Sequence, residues 1–145
     1  MSDQSSTSTQ YSGQCLCGKV KVRAPSLKPY VGACHCDMCR RWASGPLFAV
    51  HGGQDVSFEG EEHVAVYSSS EWAERGFCKC CGSNLFYRLK ANQLHYLSAG
   101  LFSQDENFVF ERQVFIDAKP AYYCFANKTK DLTAEEVFAR YNANQ

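Results

Sequence analysis

Nine cysteines occur in 145 residues, and eight of them fall into three tight groups: C-L-C-G at 15–18, C-H-C-D-M-C at 34–39 and C-K-C-C-G at 78–82. Sulfurs at such spacing either bond one another or share a soft metal ion. The odd number, with no basic-then-apolar stretch at the start of the sequence, argues against a disulfide framework and gives the expectation of reduced thiols in the cytoplasm. The ninth, Cys124, lies in the aromatic stretch Tyr122-Tyr123-Cys124-Phe125 and is expected to be a buried thiol.

The first and third groups share a design. Cys15 and Cys17 are followed by Gly18, and Cys78 and Cys81 by Gly82. In such turns backbone amides face the sulfurs, and glycine accepts the positive φ that a tight turn needs. Together they supply four thiolates for a closed, tetrahedral, structural zinc site; the plainer alternative is four buried thiols. Cys80, adjacent to Cys81, reads as a non-ligand or a spare.

Cys34, Cys36 and Cys39 are different in kind, with three sulfurs in six residues and no fourth cysteine nearby. Three protein ligands and a vacant position define a catalytic zinc site. A second structural site, completed by His35, a distant histidine or Cys124, is the alternative; His35, between two ligands, reads as a neighbour rather than a ligand. Three thiolates around Zn²⁺ leave a net charge of about −1, which suits exchange of another soft ligand, above all a thiol, better than generating hydroxide. The reading is therefore of two zinc ions per chain and a thiol substrate.

These residues need a framework. The length fits one domain, expected over residues 12–145 behind a polar tail, residues 1–11, that has almost nothing to pack. Lys and Arg together equal Asp and Glu at 15 each, which leaves no basic excess for nucleic acid or an anionic membrane, and no apolar run reaches the length of a membrane span. Alternation predicts a strand at 19–23; 47–50, 56–58 and 64–67 read as short strands separated by Gly52-Gly53 and Gly60, 108–116 as a further strand of imperfect alternation, and 84–89 with 94–99 as a hairpin around Lys90–Gln93. Pro25 and Pro29 read as a break, and residues 75–77 as a lead into the third cysteine group. A helical turn over 36–43 carries Arg40, Arg41 and Trp42 beside the second group. Thr133 and Glu136 form a capping-box pattern before a C-terminal helix with Leu132, Val137, Phe138 and Tyr141 on one face. Trp42 and Trp72 read as core or pocket wall, and His51, His63 and His95 as structural or exposed. The expected fold is mainly β, with few short helices and a C-terminal helix, its small core supplemented by zinc.

The order C-x-C-G, C-H-C-x-x-C-R and F-C-x-x-C-G-S, at 15–18, 34–40 and 77–83, resembles the glutathione-dependent formaldehyde-activating enzyme family. The resemblance runs from Gly13 to about Tyr123. It implies a zinc-containing β-tent of the Mss4-like kind, with Cys15, Cys17, Cys78 and Cys81 holding a structural ion and Cys34, Cys36 and Cys39 a catalytic one. It also implies a carbon–sulfur lyase that joins glutathione to formaldehyde as S-hydroxymethylglutathione. Arg40 and Arg41 would then anchor the tripeptide's carboxylates, or be ordinary surface arginines. The chain departs from the family's pattern in the segment 113–123, where Gln113 stands for a histidine and a tyrosine for a tryptophan. A non-catalytic, zinc-stapled glutathione carrier is the alternative function.

Overall fold

The structure, a computed structural model, describes residues 10–143. Its elements are, in chain order, β1 (Tyr11–Gln14), β2 (Lys21–Ala24), β3 (Lys28–Cys34), α1 (Asp37–Ala43), β4 (Leu47–Gly53), β5 (Ser57–Glu59), β6 (Val64–Ser68), β7 (Ala73–Cys78), β8 (Asn84–Leu89), β9 (His95–Ser98), β10 (Val109–Val114), β11 (Lys130–Leu132) and α2 (Ala134–Ala143). Strands dominate and both helices are short, one of them C-terminal, as the residue pattern requires. Residues 1–9 of the expected tail lie outside the described residues. Tyr11, at its end, is instead a buried strand residue paired with Ala24. The chain divides into two compact units, residues 10–29 with 50–107 and residues 30–49 with 108–143, and the divisions fall inside β3 and β4.

In the first unit β1, β2 and β5 form an antiparallel three-stranded sheet. The alternation expected at 19–23 is present, with Val20 and Val22 buried and Lys19, Lys21 and Arg23 exposed, and the strand itself runs from Lys21 to Ala24. Strands β6 to β9 form an antiparallel meander. The β8–β9 turn closes through the Leu89 amide on the Leu94 carbonyl at 3.0 Å, with Gln93 at φ 62°. Strand β7 was hidden in the sequence because its inward positions include Arg75, only 3% exposed, whose guanidinium lies 5.1 Å from the Tyr87 ring centroid. Its neighbour Gly76 pairs with Phe86, and a Cβ there would sit 2.2 Å from the Phe86 ring. Phe86 in turn packs on Phe58 and His95, at centroid distances of 5.4 and 5.2 Å.

In the second unit the sheet order is β11-β10-β3-β4, and β10 runs parallel to both β3 and β11. Pro29 does not break the chain: it lies near the start of β3, before pairing with β10 begins at Tyr30. Phe48, Phe110 and Phe125 meet edge to face at 5.2–5.7 Å. The capping box forms as expected. Thr133 Oγ1 accepts from the Glu136 amide at 3.2 Å, and Glu136 Oε1 accepts from the Thr133 amide at 2.8 Å. No helix among the described residues is long and apolar enough to cross a membrane.

Candidate metal centres

Cys15 and Cys17 follow β1, and Cys78 ends β7 with Cys81 in the turn beyond it. Each pair sits on the same device. The Gly18 amide donates to the Cys15 carbonyl at 3.1 Å, and the Gly82 amide to the Cys78 carbonyl at 2.7 Å. Both glycines take φ near +80° (80° and 79°), a conformation that a side chain at either position would strain. The two turns are tied together by the Leu16 amide, which donates to Ser83 Oγ at 3.0 Å. The four sulfurs lie within 4.8 Å of one another. The Cys15–Cys17 and Cys17–Cys78 separations are 3.6 and 3.8 Å; Zn–S bonds at a tetrahedral angle place sulfurs about 3.8 Å apart. The residues fit one ion. Cys15 also accepts from the Val20 amide at 3.4 Å, and the Ser83 hydroxyl brings the Cys81 thiol down to about 5.

Cys34, Cys36 and Cys39 form the second set, again with sulfurs within 4.8 Å of one another. Cys34 ends β3, Cys36 caps α1 and Cys39 lies in its first turn, where its amide donates to Cys36 Sγ at 3.3 Å. A strand end, a cap and a helical turn thus aim three sulfurs at one point. Hydrogen bonding with the Cys36 and Cys39 thiols, followed by burial, pushes the Cys34 thiol far above its ordinary value. Crowded sulfurs cannot all carry charge unless a cation stands between them. Among the described residues no other His, Cys, Asp or Glu joins either set.

His35 is a neighbour, as its place between two ligands suggested. It is fully buried, and both ring nitrogens are engaged, Nε2 with Gln113 Oε1 and Nδ1 with the Tyr123 hydroxyl, each at 2.8 Å. The network has one consistent direction. Gln113 Nε2 donates to Thr129 Oγ1 at 2.9 Å, and the Thr129 hydroxyl donates to Asp131 Oδ1 at 2.6 Å. The Gln113 carbonyl therefore accepts from Nε2–H, leaving Nδ1 to accept from Tyr123. Burial is the main force holding His35 below its ordinary value and neutral. Gln113 and the tyrosine, which the sequence marks only as departures from a family pattern, are thus the partners that hold the peptide between Cys34 and Cys36. Thr129 and Asp131 carry no signal in the sequence.

The remaining residues singled out from the sequence fall as follows. Arg40 Nε donates to the His35 carbonyl at 2.9 Å and an Arg40 NH2 group pairs with Asp37 at 2.7 Å, whereas Arg41 is exposed. Cys80 is exposed and belongs to neither set. Cys124 is also exposed, contrary to expectation: Tyr123 and Phe125 turn inward in an extended segment, which turns the residue between them out. Trp72 is 39% exposed rather than core, its indole donating to the Tyr87 hydroxyl at 3.2 Å, and Trp42 is half-buried. His95 is buried and structural; His51 and His63 are half-buried.

The fold and site define a mainly β protein with two clustered sets of thiols, each of which could hold a metal ion. Residues 10–118 match the family described as glutathione-dependent formaldehyde-activating enzyme, and the chain belongs to that family. A Schizosaccharomyces pombe protein named as an uncharacterized lyase is 41% identical over 129 residues, covering 88% of this chain and 94% of its own. A Halomonas elongata protein that carries the family's name is 34% identical over 83 residues, 51% of this chain and 53% of its own. Among solved structures, a Rhodobacter sphaeroides protein from a structural genomics programme has a TM-score of 0.55 at 23% identity, covering 64% of this chain and 88% of that one, a likeness of fold.

Proposed function

We propose that the protein is a carbon–sulfur lyase that forms or cleaves a thiol–aldehyde adduct, with glutathione as the thiol and formaldehyde as the aldehyde. Both cysteine sets hold zinc in this reading, a structural ion at Cys15, Cys17, Cys78 and Cys81 and a catalytic ion at Cys34, Cys36 and Cys39. The reading is carried by a three-thiol set that, among the described residues, no fourth His, Cys, Asp or Glu joins, in a chain of this family. When bound there, zinc supplies an open position that favours the deprotonated form of an incoming thiol.

The chain's own residues do the rest. The buried network through Gln113 and Tyr123 fixes His35, and with it the directions of Cys34 and Cys36. Arg40 clamps the same peptide through the His35 carbonyl, so it serves position. Arg41, exposed in the last turn of α1, is the guanidinium left to receive a glutathione carboxylate. The new C–S bond forms from the thiol sulfur as the aldehyde's π pair moves onto oxygen, which takes up the proton that the thiol gives up. Cleavage is the reverse.

Exchange NMR with ¹³C-formaldehyde and glutathione tests this. The wild-type protein is expected to speed adduct interconversion at least tenfold over the spontaneous rate, about 1.4 kcal/mol of barrier. Cys36→Ser is expected to lose one zinc per chain and all of that acceleration while keeping its circular dichroism. Acceleration that survives in Cys36→Ser would sink the proposal, and binding without acceleration in the wild type would make the protein a carrier.

A further inference from the structure

Strand β6 ends its sheet and pairs on one side, antiparallel with β7. The phase of that pairing fixes what the other edge presents. The Lys79 amide donates to the His63 carbonyl at 2.9 Å, so the backbone of His63 faces β7. Backbone polar groups alternate sides along a strand. Those of Ala65 and Tyr67 therefore also face β7, whereas those of Val66 and Ser68 face away, together with the Val64 carbonyl. The Val64 amide is taken by the Glu61 carbonyl. In β7 the Cys78 amide donates to the Ser83 carbonyl, on the side away from β6, as the same alternation requires.

Among the described residues the other sheet ends are blunted, and this one is not. Strands β5 and β11 have three residues each and carry Glu59 and the pair Lys130-Asp131. In β1 the Ser12 amide is occupied by Gln104 Oε1 at 3.1 Å. Short length, charge and covering groups are the usual protections of a strand edge. Strand β6, Val-Ala-Val-Tyr-Ser, is five residues long with no charge and no proline, and its last three residues are exposed.

We propose that β6 is a dimerisation edge, pairing antiparallel with β6 of a second copy of this chain about a two-fold axis at Val66. The edge complements itself. Val66 exchanges both backbone bonds with Val66 of the second copy, and in each direction a Ser68 amide donates to a Val64 carbonyl. Ala65 and Tyr67 meet at the closer, non-hydrogen-bonded positions, so the bulkiest side chain of the edge, 65% exposed in the single chain, covers the smallest. Charge agrees with this register. Beyond the strand ends it brings Glu62 toward Ser70 of the second copy. Lys90 Nζ is held there by the Ser70 carbonyl at 2.9 Å and Ser68 Oγ at 2.6 Å, and Glu62 is exposed. Each copy thus sets a lysine against the other's carboxylate. A one-residue slip would oppose outward-facing groups to groups already turned toward β7. The interface is small, at the weak end of specific contacts, and a dissociation constant on the order of 100 µM is expected.

Sedimentation velocity of the zinc-loaded full-length protein, from about 10 µM to about 1 mM, is expected to show monomer passing to dimer. Over the same range, amide–water exchange measured by NMR should slow roughly threefold at Val66 and Ser68 and stay unchanged at Ala65 and Tyr67, which already face β7. Val66→Lys sets like charges against each other at the axis and is expected to raise the dissociation constant roughly tenfold, with circular dichroism and melting temperature unchanged. Glu62→Lys, which opposes two cations, should raise it about threefold. A protein that stays monomeric throughout overturns the proposal, as does a dimer that Val66→Lys leaves intact. A dimer whose Val66 and Ser68 amides exchange as they do in the monomer overturns it too, and that measurement needs no variant to fold. An unchanged constant in Glu62→Lys overturns the register.

Discussion

In the proposed reading, the two cysteine sets use the same donor atom for opposite ends. The four-cysteine set draws its sulfurs from turns more than sixty residues apart in sequence, at 15–17 and 78–81, and buries Cys15 and Cys78 almost completely. An ion there is a cross-link, and its binding energy is folding energy. The three-cysteine set takes all its sulfurs from one strand-to-helix junction, residues 34–39. An ion there closes no long loop, so the junction must be held by something else. A chain of hydrogen bonds from Tyr123 through His35, Gln113 and Thr129 to Asp131, buried at its His35–Gln113 link and exposed at its Asp131 end, does so. Donor count alone does not separate a structural from a chemical site; the span of chain that the donors close does.

The sharpest way to break this comparison is to remove one ligand from each set. Cys78→Ser is expected to unfold the first unit, because a structural zinc contributes on the order of 10 kcal/mol to small domains of this kind; circular dichroism and metal content report it. Cys36→Ser should lose its ion and stay folded. Equal loss of structure in the two variants would erase the distinction. Acidification gives the same order without mutation: protons compete for thiolates, and the three-donor site is expected to release its zinc at a higher pH than the four-donor one, read by a chromogenic chelator.

Smaller effects sharpen the picture. Gly76→Ala forces a methyl group into the Phe86 ring and is expected to cost about 1–3 kcal/mol in denaturant unfolding, with zinc content unchanged. Gln113→Ala strands the Nε2–H of a fully buried His35, at a cost of about 1–3 kcal/mol. It should also weaken zinc retention at Cys34, Cys36 and Cys39 while sparing the other set. Full retention of both ions would show that the junction needs no such support. Least of all, Thr133→Ala removes the α2 cap for about 1 kcal/mol. The Thr133 amide holds the Glu136 carboxyl below its ordinary value. That contribution is complete above the unfolded carboxyl's pKa and is lost as pH falls through the folded one; a flat acid limb in the pH profile of stability would contradict it.

What was legible from residues alone was local. The C-x-C-G and C-x-x-C-G turns, the α1 turn, the β8–β9 hairpin and the capping box are each settled within a few residues by backbone geometry, and each formed where its spacing placed it. Strands β7 and β3 carry no clean alternation. In β7 a buried arginine and a glycine occupy apolar places, and in β3 a proline sits near the start. Cys124 is exposed although its neighbours are aromatic, because their hydrophobicity says nothing about which side of an extended chain it takes.

The sequence by itself determined that thiolates cluster, how many there are and which neighbours serve them as turns, since those follow from short-range sterics. Only the tertiary structure decided that β10 lies parallel to β3 and that His35 is buried against residues 78 and 88 positions away. Such meetings depend on which apolar faces and unpaired backbone edges satisfy one another once the chain closes, and spacing along the chain does not encode that.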